Sequence, residues 1–263
     1  MFILSLFPGI GLLDRAFEQN GFCVVRGPDV LWGGDVHNFH PPAGKFSGII
    51  GGPPCQAFSP LSHLVRARYG SEKVADNLIP EFERCVTEAK PDWFLMENVR
   101  YAPLPKVSGY AVSDVLLNNR WFGAEQNRVR RFSFGVRGET SVNLWRYIRL
   151  APMESPVFEY AVTASKGAGN GLKYDRGYRR PAKTLEAKAR AAKRPISELA
   201  RLQGLSPDFL DKAPFTKDGK RLVIGNGVPL MMGDAIAKAV FKITGQPNNP
   251  MQATFLRSAS ESA

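Results

Sequence analysis

The sequence predicts an α/β fold: a doubly wound, mostly parallel sheet with a small second domain. Three observations carry that prediction. Short apolar runs alternate with amphipathic segments over the first half, the runs end in glycine- or proline-marked turns, and the alternation fades after about residue 136. FILSLF (2–7) reads as a buried strand and PGIG (8–11) as a turn. LLDRAFEQNGF then places Leu12, Leu13, Ala16 and Phe17 on one side of a helix, with Gly21 as its stop. CVV (23–25), GII (48–50) and WFLMEN (93–98) read as further buried strands. DNLIPEFERCVTEAK (76–90) reads as a helix with Pro80 near its start, and YAVSDVLLNN (110–119) as another. RWFGAEQNRVRRFSFGV (120–136) suggests a strand pair with a basic turn. Later, ISELARLQGLSPDFL (196–210) reads as helix, and GNGVPLMMGDAIAKAVFKITG (225–245) as a turn followed by a helix.

The predicted division is a large domain over 1–136, completed by 225–245, a small domain over 137–224, and a frayed tail over 246–263. The chain of 263 residues carries 35 Lys+Arg against 24 Asp+Glu, a formal net charge of +11, which suits a polyanionic partner. Residues 137–194 hold 13 of the basic residues and 5 of the acidic ones. Three cysteines are too few for a disulfide framework and imply a reducing, cytoplasmic setting. Three histidines argue against a His-rich metal centre, and no metal is expected. No apolar run approaches the roughly 20 residues of a membrane span, and the apolar start lacks the basic region and cleavage site of a signal peptide.

Five short motifs carry the chemistry. Phe7, Gly9 and Gly11 form a turn between strand and helix that lets a ligand approach the backbone, although Asp14 breaks the dinucleotide pattern GxGxxG. Gly51-Gly52-Pro53-Pro54-Cys55-Gln56-Ala57-Phe58-Ser59 holds Cys55 in a stiff loop after a strand, as a nucleophile requires. Cys23 and Cys85, by contrast, look like core. Glu97-Asn98-Val99 ends an apolar strand in the same crevice. Gln126-Asn127-Arg128-Val129-Arg130-Arg131 sends alternate side chains to one face. Gly225-Asn226-Gly227-Val228-Pro229 is a turn signal.

In this order, FxGxG, GGPPCQxFS, ENV, QNRxRR and GNGVP, with Gly34-Asp35-Val36, RRPAKTL (179–185) and RPISELARLQGL (194–205), the chain resembles the DNA (cytosine-5)-methyltransferase family over about residues 2–245. The resemblance implies a Rossmann-like domain using S-adenosylmethionine and a small target-recognition domain. It implies that Cys55 attacks C6 of a flipped-out cytosine in double-stranded DNA, that Glu97 protonates N3, that Arg130 holds O2 and that Arg128 braces the site. A positive neighbourhood is expected to ionise Cys55, and burial to keep a proton on Glu97. Phe7, Gly9, Ile10, Gly11, Asp29, Asp35, Val36, Pro54, Asn226 and Val228 are the expected cofactor contacts, with Asp35 at the adenine amino group and Trp32 stacking on adenine. Gln56, Ser59, Arg66, Arg68, Arg179 and Arg180 are the expected DNA contacts, with 59–73 forming a loop that closes on the duplex.

Two departures from the family pattern stand out. The stretch Val25-Arg26-Gly27-Pro28-Asp29 lacks the usual ribose-binding glutamate, leaving Asp29 as substitute, and the short gap to Asp35 implies a lost helix. Only residues 133–178 separate the QNRVRR block from RRPAKTL, so the target should be short, about two to four base pairs, and binding strongly salt-sensitive. Compactness suggests a bacterial or phage enzyme, solitary or in a restriction-modification system, and the resemblance implies a monomer. The alternatives are a tRNA cytosine-5 methyltransferase and a catalytically weak DNA-binding homologue.

Overall fold

The fold is described from a computed structural model that covers residues 1–55, 58, 76–151, 159–162 and 194–245. Its centre is a six-stranded sheet of order β2-β1-β3-β4-β7-β5. The strands are β1 (Phe2–Leu6), β2 (Cys23–Arg26), β3 (Gly48–Gly51), β4 (Trp93–Asn98), β5 (Tyr110–Asn118) and β7 (Val129–Arg137). The pairs β1–β2, β1–β3 and β3–β4 are parallel, whereas β7 runs antiparallel to both β4 and β5. A separate two-stranded parallel pair joins β6 (Gln126–Asn127) to β8 (Glu159–Tyr160). The helices are α1 (Leu12–Gln19), α2 (Ile79–Ala89), α3 (Ile196–Leu202), α4 (Lys217–Asn226) and α5 (Leu230–Thr244).

Alternation along the strands splits the core between the two faces of the sheet. Ile3, Ile50, Trp93, Leu95, Phe132 and Phe134 pack with Phe17 of α1 and with Met232, Ile236 and Val240 of α5. Leu4, Leu6, Ile49, Phe94 and Met96 pack on the opposite face with Phe82, Cys85 and Val86 of α2. A third cluster joins Leu12 to Val162 and to Leu199, Leu202, Val223 and Ile224 of α3 and α4.

The doubly wound, mostly parallel reading of the first half holds, with differences in detail. Tyr110–Asn118 is a strand, not the expected helix. Its nine residues pair in register with β7, and β-branched Val112 and Val115 suit that pleated edge. The strand pair expected within 120–136 does not form either: β7 pairs with β4 and β5, while Gln126–Asn127 leaves for the small sheet. Cys23 is exposed because β2 is the sheet's edge, whereas Cys85 is buried as expected. Helix α3 stops at Leu202, before Gly204, whose φ is 80°. Gly225 and Asn226 belong to the last turn of α4 rather than to a loop. Between β2 and Asp35 the one helical piece is a 3-10 turn at Val30–Trp32, in line with the lost helix.

At the edge of the sheet where β4 begins, Asp92 lies 3.9 Å from Arg137, a loose pairing. Burial raises its carboxyl from 3.8 to about 6, Arg137 opposing. The folded state therefore holds this proton more tightly than the unfolded chain does. That contribution is complete below about pH 3.8 and is lost as pH rises through about 6. Asp92→Asn removes the cost of the buried charge and should stabilise the protein by about 1–3 kcal/mol at pH 7. Urea unfolding of both proteins from pH 4 to pH 8 checks this: the gain should be near zero at the acid end and grow with pH.

Candidate active site

The register brings the chemistry to one line. Leu6, Gly51 and Met96 are aligned on β1, β3 and β4, so Phe7, Gly52 and Glu97 follow at the next level of the same edge. Antiparallel β7 delivers its early residues there, with Glu97 opposite Phe132 and Asn98 opposite Arg131. Paired residues share a face and Arg130 lies two positions from Phe132, so Arg130 and Glu97 are diagonal neighbours. Their side chains meet, with Arg130 Nε 2.9 Å from Glu97 Oε1.

Cys55 is carried by the loop after β3. Asn98 Nδ2 donates to the Pro53 carbonyl at 3.1 Å, tying that loop to β4, and Phe58 N–H donates to the Cys55 carbonyl at 3.0 Å. At Gly52 the backbone passes close to the carboxylate: a Cβ there would lie 3.2 Å from Glu97 Oε2, a tight contact. Cys55 is half-buried, and its thiol is pushed up by burial, while Arg130 and Arg128 pull it down and Glu97 pushes it up. The positive groups expected beside the thiol are therefore present, but burial outweighs them and the resting sulfur keeps its proton. Glu97, 7% exposed, is raised by burial against Arg130 and Arg128, as a carboxyl that must carry a proton requires.

Arg128 does not reach outward. It is buried, donates to the carbonyls of Gly225 at 2.8 Å and Gly227 at 3.0 Å, and also bonds the Val162 carbonyl. Burial lowers its guanidinium to about 9, so it stays charged at neutral pH. Gln126 lies beside it, donating to the Leu202 carbonyl and to Gln203 Oε1. Gln203 in turn donates to the Ile224 carbonyl at 2.6 Å. The QNRVRR segment is thus one end of a buried polar network holding the turn between α4 and α5. Gln203 was not singled out from the sequence, although a polar residue amid Leu199, Leu202 and Leu205 is the signal that could have found it.

At the first loop, Phe7, Gly9 and Gly11 adopt φ values of 56°, 56° and 74°. A Cβ on Gly9 would meet nothing within 4 Å, so positive φ, rather than crowding, calls for glycine there. Asp29 Oδ2 accepts from Gly9 N–H at 2.7 Å and its Oδ1 from Leu31 N–H at 2.8 Å. Trp32 Nε1–H donates to the Gly9 carbonyl at 2.8 Å, and the indole is 58% exposed. Asp35 is exposed; its carboxylate accepts from the backbone and the ring of His37, which hold it below its ordinary value. Ile10 and Pro54 are half-buried, and Asn226 is exposed. Val36 and Val228 are buried in the core, so a ligand contact from either would run through its backbone. Behind the loop, buried Asp14 accepts from Ser5 Oγ at 2.5 Å and from Arg26 Nε at 2.9 Å, a group that sequence reading missed. An open glycine loop flanked by two carboxylates and a half-exposed indole fits a nucleoside-bearing cofactor. Gln56, Ser59, Arg66, Arg68, Arg179 and Arg180, the 59–73 loop and the tail lie outside the described residues. Among the described residues no cluster of His, Cys, Asp and Glu could hold a metal, and no helix is long and apolar enough to cross a membrane.

Known proteins resemble this chain in sequence and in fold. The chain is 27% identical to the type II methyltransferase M.HgiDI of Herpetosiphon aurantiacus, the match covering 93% of this chain and 95% of that protein. It is 39% identical to M.AquIA of Picosynechococcus over 51% of this chain and 71% of that protein. It is also 28% identical to the orphan methyltransferase M.SPRI of Bacillus phage SPR, where the match spans 54% of this chain and 39% of the relative. The S. pombe Dnmt2 methyltransferase structure shares the fold at a TM-score of 0.59 and 15% identity, covering 93% of this chain and 99% of that one. The Entamoeba histolytica methyltransferase EhMeth superposes at 0.53 and 14% identity, covering 92% and 98%. The sequence profile of C-5 cytosine-specific DNA methylases matches residues 33–190, more than half of the chain. The protein belongs to that family, a family of methyltransferase enzymes.

Proposed function

We propose that the protein methylates C5 of cytosine in duplex DNA, with S-adenosylmethionine as methyl donor and Cys55 as covalent nucleophile. The observation that carries this reading is the meeting of Glu97 and Arg130 at 2.9 Å beside the Cys55 loop. A nucleophile, a proton donor and a fixed cation then face one crevice. C5 of cytosine is a poor nucleophile until C6 is saturated. Cys55 Sγ gives up its proton as it adds to C6, and Glu97 places a proton on N3, drawing electrons away from C6. Arg130 takes the base's O2 and holds the Glu97 carboxyl in line. Loss of the C5 proton, cleavage of the sulfur–C6 bond and return of the N3 proton to the Glu97 carboxylate restore the ring.

S-adenosylmethionine, when bound, supplies the electrophilic methyl group. The loop at Phe7, Gly9 and Gly11 would line its methionine and ribose end, with Asp29 near the ribose and Asp35 at the adenine amino group. Arg128 acts as a brace, through the Gly225 and Gly227 carbonyls. The base must leave the helix to reach Cys55, at a cost of a few kcal/mol. Residues 137–224 would read the flanking bases, and the short stretch 133–178 supports a site of about two to four base pairs.

The test is transfer of label from S-adenosylmethionine to duplex DNA in competition with tRNA, followed by bisulfite sequencing of the product. Labelled duplex with a short fixed consensus around 5-methylcytosine is the expected result. Label moving preferentially to tRNA would assign the chain to the RNA branch of this chemistry, and no label in either would reject the proposal.

A further inference from the structure

We infer that Arg84 of α2 is a positioning residue that sets cofactor affinity by holding the turn that follows Asp35. The inference rests on the reading of Asp35 as an adenine contact.

The segment between β2 and β3 has no strand of its own, and its Val36–Asn38 stretch is a single 3-10 turn capped by the Asp35 side chain. Phe39 N–H closes the turn on the Val36 carbonyl at 3.1 Å, and that oxygen has room for a second donor. Arg84 takes that place: Nη2 donates to the Val36 carbonyl at 2.8 Å and to the Phe39 carbonyl at 3.0 Å, gripping both ends of the turn. The rest of the guanidinium is fixed by its own helix. Nε donates to Glu81 at 2.8 Å and Nη1 to Glu88 at 2.8 Å, partners three residues before and four after. His40 Nδ1, at the end of the same segment, lies 3.1 Å from Glu88 Oε2.

Asp35 spends its own hydrogen bonds inside the turn, on His37 N–H at 3.0 Å and Asn38 Nδ2 at 3.2 Å. The turn is therefore a small self-contained unit. It is fastened to the body by the apolar contacts of Val36 and Phe39 with the α2 face of the core, and by the Arg84 fork. A planar fork meets two carbonyls and two carboxylates at once, which a lysine ammonium cannot do in one position. Loosening the fork would leave Asp35 chemically intact but poorly placed, and misplacement of that kind is costly for binding.

The experiment compares the full chain with Arg84→Lys, Arg84→Met and Asp35→Ala. It measures the dissociation constant for S-adenosylmethionine by calorimetry, kcat at saturating cofactor, KM for DNA, and the melting temperature without cofactor. Both Arg84 variants should weaken cofactor binding, Arg84→Met by about 10-fold or more, while kcat at saturation and KM for DNA hold within about twofold. Arg84→Lys keeps the charge and the helix, so it reads the fork even if Arg84→Met folds poorly. The inference is overturned if both Arg84 variants bind the cofactor like the wild type while Asp35→Ala binds it weakly. It is equally overturned if affinity, kcat and melting temperature all fall together, since that pattern marks a general structural role. Unchanged binding by Asp35→Ala would instead remove the adenine-contact reading on which the inference stands.

Discussion

Cys55→Ser is expected to lower methyl transfer by on the order of 10³-fold or more, with cofactor and DNA binding nearly unchanged. The substitution keeps the size and the half-buried setting, and it leaves the Phe58 N–H bond to the residue 55 carbonyl in place. What it removes is a polarisable sulfur, intrinsically a far better nucleophile than a hydroxyl oxygen. Burial already holds the thiol above its ordinary value, with Arg130 and Arg128 as the groups pulling it back. A hydroxyl in the same place starts from a far higher pKa and gains too little from two guanidinium groups to act as a nucleophile. Single-turnover transfer from labelled S-adenosylmethionine reads the effect directly. Equal rates for Cys55→Ser and wild type would remove the covalent step from the mechanism.

Glu97→Gln should cost about 10²–10⁴-fold in the methyl-transfer rate, the range of a lost general acid. Gln preserves the shape and can still hydrogen-bond a base, so binding of the extruded cytosine should survive. It cannot deliver a proton to N3. The wild-type residue can, because burial raises its pKa even with Arg130 at 2.9 Å. The sign of the pH dependence follows. As pH rises, the wild-type rate gains from thiol ionisation and then falls as Glu97 loses its proton, whereas Glu97→Gln should show the gain without the fall. A pH–rate series on both proteins checks this, and a falling alkaline limb retained in Glu97→Gln would show that the limb belongs to another group.

The ends of the parallel strands were legible because two of the apolar runs stop at a Gly- or Pro-marked turn, FILSL before PGIG and GIIG before GPPC, and WFLMEN stops where its apolar run gives way to polar Glu97 and Asn98. Cys55 and Glu97 inherit their positions from those ends, which is why linear motifs sufficed to bring them together. The Tyr110–Asn118 segment was not legible, since its apolar residues satisfy a helical face as well as a pleat, and pairing along the whole length of β7 decides the matter. Helix α4 was missed because KDGKRLVIGN carries two glycines and a short apolar stretch; Val223 and Ile224 earn it a place only by packing in the third cluster. Long-range partners were beyond reach altogether. Nothing local says that Arg128 grips the Gly225 and Gly227 carbonyls, nor that Arg84 grips Val36 and Phe39.

The most direct test is to incubate the protein with S-adenosylmethionine and duplex DNA containing 5-fluorocytosine, whose fluorine blocks the proton loss that releases the enzyme. The account predicts a denaturation-resistant protein–DNA adduct, mapped by peptide mass to Cys55 and lost in Cys55→Ser. An adduct at the exposed Cys23, or no adduct from an enzyme that still methylates ordinary duplex, would contradict it.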